Sequence, residues 1–575
     1  MVFVKSSPAV FRRHDIFPLL VGPLILALCV LDIYPSIILA ARLSEDGALS
    51  AVLLRLLKLS QMWTGIGLTL GLTAAWLLRA RGQMVIRLLA RPSPWMFIVL
   101  VSVACGAGAL FVQQVLFDGI PHVTDATSHW FQAQIFRMGR IAVPAPPCPE
   151  AFFQHGVVLN ARELWHSKYY PGTALGLACL GPGFLPLSYA VLLGAFYFAV
   201  RRYLSENEAR LATLLMGFSP MLLLLAGSYM SHIPSLMWLA LAWVGALRGL
   251  EGSRSAAIGA GAAAGIGVLT RPLDAVLLGV LIGLLLLLDG RYPFRRKWAC
   301  LGWSVCGLAI PAIFLMIQNV GLYGTPFTTG YNFSHSAAHY QIRFGLSEQF
   351  PFAQACKQGG WILGRLNQAL FGWPSSLLFI AYLFLASPRR RSTYWLVLAI
   401  AGLYAPYFFY FYYGFEYEAR YTFATVPLLC ILSAQGIRAC VCHPRYGWCT
   451  YGLLAAFVLY AGVYYWPIYL WPRYASAYEE ATPAIHRAAQ AANLKTPAVV
   501  LLPDAGFGYS SGFIHNDPLL QAPILYARDI PAQLPCLANA FPQRQMYRYR
   551  PAAELPPSGR FLPLARPQPE SVRRP

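Results

Sequence analysis

The stretch GIPHVTDATSHWFQAQIFRMGRIAVPAPP, Gly119 to Pro147, opens a polar segment that runs from Asp118 to Gly172. Apolar runs flank it on both sides, WMFIVLVSVACGAGALFVQQVLF at 95–117 and TALGLACLGPGFLPLSYAVLLGAFYFAV at 173–200. Both have the length and composition of membrane spans. Between two spans, a loop carrying an acid, histidines, cations and many rings is where chemistry is expected.

Composition extends that reading to the whole chain. The 575 residues are 57% hydrophobic and 12% charged, about half the charge of an ordinary soluble domain. The net charge of +21 is spread over short loops between apolar runs. There it sets membrane topology, and nucleic acid is not an expected partner.

Apolar stretches able to cross a ~30 Å hydrocarbon core fall near 17–40, 61–78, 95–117, 173–200, 211–227, 232–247, 256–270, 274–289, 298–320, 372–387, 394–413, 421–437 and 449–471. The expected fold is an α-helical polytopic membrane protein of about thirteen spans. Residues 1–16, with Lys5, Arg12 and Arg13, are placed in the cytoplasm. Alternating the spans then puts Arg79, Arg81, Arg87 and Arg91, Arg201, Arg202 and Arg210, Arg295, Arg296 and Lys297, and Arg389, Arg390 and Arg391 on the same side, as the positive-inside rule requires. The loop at 118–172, a second at 321–371 and everything after 471 fall outside. The Gly/Ala-rich 256–270 and its neighbour 274–289 read either as two spans or as a hairpin of half-depth helices.

After Trp471-Pro472 the pattern changes. Thr482-Pro483 starts an amphipathic helix through Asn493, AVVLLP at 498–503 reads as a buried strand, and 472–550 is expected to form a small exterior α/β appendage. From 551 to 575, Pro and Arg dominate and disorder is expected. Six cysteines, among them Cys29 and Cys105, lie in spans and behave as apolar residues. Cys148, Cys356 and Cys536 are exterior, leaving room for one bridge among them. Cys440, Cys442, His443 and Cys449 cluster without a standard zinc spacing.

Within the loop, a helix over 125–138 puts Asp125, His129 and Gln132 on one face, with Trp130, Phe131, Ile135 and Phe136 free to face lipid. The alternative is a solvated loop carboxylate at Asp125. The Pro144–Pro147 segment ends the helix, and Lys168-Tyr169-Tyr170-Pro171-Gly172 leads into the next span.

These motifs resemble the first exterior loop of GT-C membrane glycosyltransferases, in particular bacterial relatives of protein mannosyltransferases, lipid A aminoarabinose transferases and lipopolysaccharide-core galacturonosyltransferases. The matching residues are His122, Asp125, Phe131-Gln132-Ala133, Gly139-Arg140, Pro144 to Pro147 and Tyr170-Pro171-Gly172. Later landmarks follow in order: Ser231-His232-Ile233-Pro234, Leu269-Thr270-Arg271-Pro272, Gly324-Thr325-Pro326 with Thr329-Gly330-Tyr331, Phe371-Gly372-Trp373-Pro374 and Ala419-Arg420-Tyr421. One departure stands out. The family's Asp-Glu pair is Asp125-Ala126 here, and His129 occupies the position of its aromatic.

The resemblance implies transfer of a sugar from a polyprenyl-phosphate carrier to an acceptor hydroxyl of a lipid, glycan or protein, in a bacterial inner membrane. It implies Asp125 as general base and inversion at the sugar carbon. Lys168 and Arg420, with Arg271 third, are the candidates to bind phosphate; snorkelling to the interface is their bland alternative. His122, His129, Tyr170, His232 and Glu418 complete the candidate substrate-binding set, and no metal or other cofactor is expected. Glu416 and Glu418 also read as salt-bridge partners of Arg420, His335 and His339 as a solvated pair, and Asp32 as a carboxylate facing the bundle. A transporter or flippase, or a catalytically inactive GT-C-like scaffold, is the competing reading.

Overall fold

The computed structural model describes residues 91–333, 343–348, 350–386, 391–411, 416–443, 447–475, 478–504, 508–551 and 556–564. The expected spans near 17–40 and 61–78, with Cys29 and Asp32, and the pair His335 and His339 lie outside these residues.

Helix α1 (Pro94–Phe111) starts where Ser93 accepts the backbone N–H of Met96, and it continues through a π-helical turn to Leu116. The loop follows with α2 (Thr124–Arg137), β1 (Val143–Pro144), β2 (Val157–Leu159) and β3 (Leu164–Ser167). β3 pairs antiparallel with both other strands. Next come α3 (Gly172–Leu180), α4 (Phe184–Val200), α5 (Glu206–Gly217), α6 (Pro220–Gly227), α7 (His232–Leu250), α8 (Arg254–Thr270), α9 (Pro272–Leu288) and α10 (Phe294–Tyr323). A short ladder of β4 (Arg343–Phe344) and β5 (Tyr410–Phe411) brackets α11 (Phe352–Ala369), α12 (Leu378–Ala386) and α13 (Arg391–Phe408). α14 (Val426–Val441) and α15 (Gly447–Tyr460) close the bundle.

Every expected span from 95 onward coincides with a helix, but their lengths differ. Among the described residues, six helical stretches are long and apolar enough to cross a membrane, with the pair α5 and α6, bent by 54°, a seventh. The count of thirteen is therefore not reached there. α8 and α9 have 17 residues each, about 25 Å at 1.5 Å per residue, longer than a half-depth hairpin needs. In lipid no hydrophobic force drives helices together, and small residues let them touch instead. At Gly261 on α8 an added Cβ would lie 1.7 Å from the carbonyl oxygen of Ser304 on α10, so the two backbones meet directly.

The C-terminal unit contains α16 (Ala484–Ala491), β6 (Ala498–Leu502), β7 (Ile524–Arg528), β8 (Gln545–Tyr549) and β9 (Phe561–Pro563) in the order β7-β6-β8-β9. All five residues of β6 are buried, the pattern of a parallel strand covered on both faces. Two expectations are corrected here. Phe561 packs tilted against Tyr549 at 5.3 Å and β9 pairs with β8, so within the segment read as disordered Phe561–Pro563 form a strand on the open sheet edge. Phe131 and Ile135 do not face lipid: they are buried in one core with Trp165, Phe513 and the sheet, because this unit covers that face of α2. A disulfide joins Cys148 to Cys536 across 388 residues, and Gln154 donates to Ser510. The loop and the C-terminal unit thus share one side of the bundle.

Candidate active site

Pro121 and the extended Val123 end the preceding turn, and α2 starts with Asp125 in its first turn, where the helix dipole favours a negative charge. The same face of α2 is pinned to β3. Ser128 Oγ shares a hydrogen bond of 2.7 Å with Ser167 Oγ and donates to the Gly156 carbonyl at 2.6 Å. Gln132 accepts the Ser167 N–H at 2.9 Å. This clamp carries Lys168 and Tyr169 alongside the acid, and the Tyr169 hydroxyl donates to Asp125 Oδ1. Lys168 Nζ lies 5.0 Å from the Tyr169 ring and 5.8 Å from that of Tyr331, within cation–π range.

Two glycines permit the approach of neighbouring segments. A Cβ at Gly330 would stand 2.4 Å from the Lys168 carbonyl oxygen, and one at Gly172 would stand 2.4 Å from Thr270 Oγ1. The second contact closes the start of α3 onto the end of α8, where Arg271 follows. Arg271 Nε donates to Asp274 Oδ2 at 2.8 Å, its Cζ lies 5.0 Å from the Phe423 ring, and Nη1 reaches Ser231 at 3.3 Å. Tyr407 donates to both oxygens of Asp274 at 2.8 Å. Phe423 also packs edge-on against His232 at 4.7 Å. Arg420 is 9% exposed and pairs with Glu416 at 3.0 Å.

Charge organises the centre. Burial works to raise the Asp125 carboxyl, but Arg420, Lys168 and the Tyr169 hydroxyl outweigh it and hold the group below its ordinary range. Lys168 is lowered by burial against the pull of Asp125. Burial, reinforced by the Asp125 charge, pushes the Tyr169 phenol well above its usual value, so it stays a donor. His129 is taken down to about 4 by burial, with Asp125 opposing, and is neutral at physiological pH.

Asp125, His129, Lys168, His232, Arg271 and Arg420 are therefore brought together from separate segments. Tyr170 sits at the edge, 6.1 Å from Tyr331, and with Lys168 lines a small open cleft of about 20 Å³ against Gln318, Asn319 and Tyr323 at the end of α10. Two candidates lie elsewhere. His122 has both ring nitrogens against backbone carbonyls, of Tyr478 at 2.8 Å and Phe117 at 2.9 Å, so it ties the loop to the chain after the last span. Glu418, with Tyr417 in the left-handed region (φ 62° and 56°), points away from Arg420 to Arg365 and Arg473, each at 3.6 Å. Ala126, where the resembled motif has Glu, is fully buried in the apolar core, so this point of α2 supplies no second acid. Among the described residues no three His, Cys, Asp or Glu side chains converge as metal ligands, Cys440, Cys442, His443 and Cys449 included.

The sequence reading missed Tyr169 and Asp274. Tyr169 carried only the signal of standing beside Lys168. Asp274 carried a better one, a carboxylate in the first turn of an otherwise apolar helix.

The described helices make this a multi-pass helical membrane protein. Residues 184–317 match the family model of dolichyl-phosphate-mannose-protein mannosyltransferase. No curated relative matches the sequence. Among solved structures, ArnT from Cupriavidus metallidurans bound to undecaprenyl phosphate is similar at 13% identity and a TM-score of 0.46, over 78% of this chain and 93% of that one. The archaeal oligosaccharyltransferase AglB from Archaeoglobus fulgidus is similar at 10% identity and 0.38, over 74% and 64%. The arabinofuranosyltransferase AftD from Mycobacteria is similar at 15% and 0.37, over 76% and 32%.

Proposed function

We propose that this protein is a glycosyltransferase that moves a sugar from a polyprenyl-phosphate carrier to an acceptor hydroxyl, with Asp125 as general base. The observation that carries the reading is the convergence of one ionised carboxylate with two cations, Lys168 and Arg420, from segments far apart in the chain. Asp125 takes the proton of the acceptor hydroxyl as its oxygen bonds to the sugar carbon. The bond from that carbon to the phosphate oxygen breaks on the opposite face, and the configuration inverts. Lys168 and Arg420 stabilise the charge left on the carrier phosphate; Arg271 is a third cation at hand, held by Asp274 as Arg420 is by Glu416. No step is routed through a metal.

A disulfide between the loop and the C-terminal unit suits an oxidising compartment, which favours the outer face of a bacterial inner membrane. The sugar and the acceptor class are left to experiment. Asp125→Asn should lower transfer about a hundredfold or more while the protein remains monodisperse. Mass spectrometry of envelope lipids and glycans, with and without the variant, reads the result; undiminished product would remove Asp125 from the role.

A further inference from the structure

Two imidazoles beside the proposed phosphate site have no visible work. His129 on α2 is 2% exposed, and its Nδ1 has no hydrogen-bond partner among the described residues. His232, at the start of α7, is 1% exposed, and both of its ring nitrogens are unpartnered in the same sense. Buried polar atoms are nearly always satisfied, and an orphan needs an explanation. His232 lies close enough to His129, Arg271 and Arg420 to interact electrostatically, and Phe423 packs against both His232 and Arg271. Each ring is also held in place by an aromatic, His129 by Tyr169 at 5.1 Å and His232 by Phe423 at 4.7 Å.

Resting on the glycosyl-transfer reading above, we infer that His129 and His232 form a subsite for hydroxyl groups of the transferred sugar, distinct from the cations that take the phosphate. The chemistry separates the two ligands. A phosphate seeks charge, and Lys168 and Arg420 provide it. A neutral imidazole offers one donor and one acceptor, the complement of a hydroxyl, which also offers one of each. The inference places sugar selection on residues from two elements, one of which, His129, departs from the resembled motif.

Binding to purified full-length protein in nanodiscs tests it, with undecaprenyl phosphate and its glucosyl, mannosyl and galactosyl derivatives as probes. The wild type should bind at least one glycosylated carrier more tightly than the bare carrier. His129→Ala and His232→Ala should each weaken that glycoside about tenfold, the scale of one lost hydrogen bond whose partner stays buried. Affinity for bare undecaprenyl phosphate should hold within about twofold. His129→Gln and His232→Gln, which keep a donor and an acceptor, should restore part of the loss, and they carry the comparison should an alanine variant not fold. Equal weakening of bare and glycosylated carrier, or a wild type that prefers no glycoside, overturns the subsite. A wild type that binds no undecaprenyl phosphate at all overturns the carrier reading beneath it.

Discussion

Tyr169→Phe removes one oxygen and tests the electrostatics of the site without changing its shape. The Tyr169 hydroxyl donates to Asp125, and that bond favours the ionised carboxylate. A hydrogen bond to a charged group is worth about 1.5–3 kcal/mol, and about 1.4 kcal/mol corresponds to one pKa unit. Asp125 is half-buried, and solvent takes up part of the loss, so the lower end applies, about one pH unit. The base works when deprotonated, so the acidic limb of kcat/KM should move to higher pH by that amount in the variant, with the neutral plateau lowered less. Stability follows the same sign. The folded carboxyl is held below its unfolded value, so its ionisation stabilises the fold at neutral pH and the contribution fades as pH falls through the folded value. In Tyr169→Phe that contribution is smaller, and its loss is complete at a higher pH. The measurement is sugar transfer by protein in nanodiscs from about pH 4 to about pH 9, paired with thermal melts over the same range. An acidic limb that does not move, in a folded and active variant, would refute the claim that Tyr169 tunes Asp125.

Two further outcomes are expected. Asp274→Ala leaves the half-buried Arg271 without its carboxylate; breaking a buried pair costs about 3–5 kcal/mol, and partial exposure puts this one at the lower end. The melting temperature in detergent should fall, and less in Asp274→Asn, which still accepts from Tyr407. Cys148→Ser, or reduction of the wild type, should weaken docking of the C-terminal unit by about 2–4 kcal/mol; limited proteolysis should then cut within 484–563 while the helical bundle stays intact.

Much of the fold was legible because lipid imposes one rule on every span, a long apolar run. α1, α7, α10 and α14 follow it and were found to within a few residues. The same rule is silent on how helices break: Gly372, Trp373 and Pro374 precede α12, which keeps only Leu378–Ala386 as helix. Within the site, Asp125, Lys168 and Arg420 could be picked out because charge in a mostly apolar chain is conspicuous. Tyr169 could not, since the chain has 32 tyrosines and only the tertiary fold says which one meets the acid. The outward assignment of Phe131 and Ile135 failed for a related reason. Amphipathicity says that a face must be covered, and lipid and a distant sheet cover it equally well.

That sheet lies more than 300 positions downstream of α2, which gives the order of synthesis a consequence. While the ribosome is still making the later helices, Phe131 and Ile135 have nothing to rest against, and Cys148 has no Cys536 to join. The proposed active site would then wait for residues 498–563 to be made and to settle on the loop. A truncation that spares every helix in the bundle would nonetheless leave the acid on a helix without its backing.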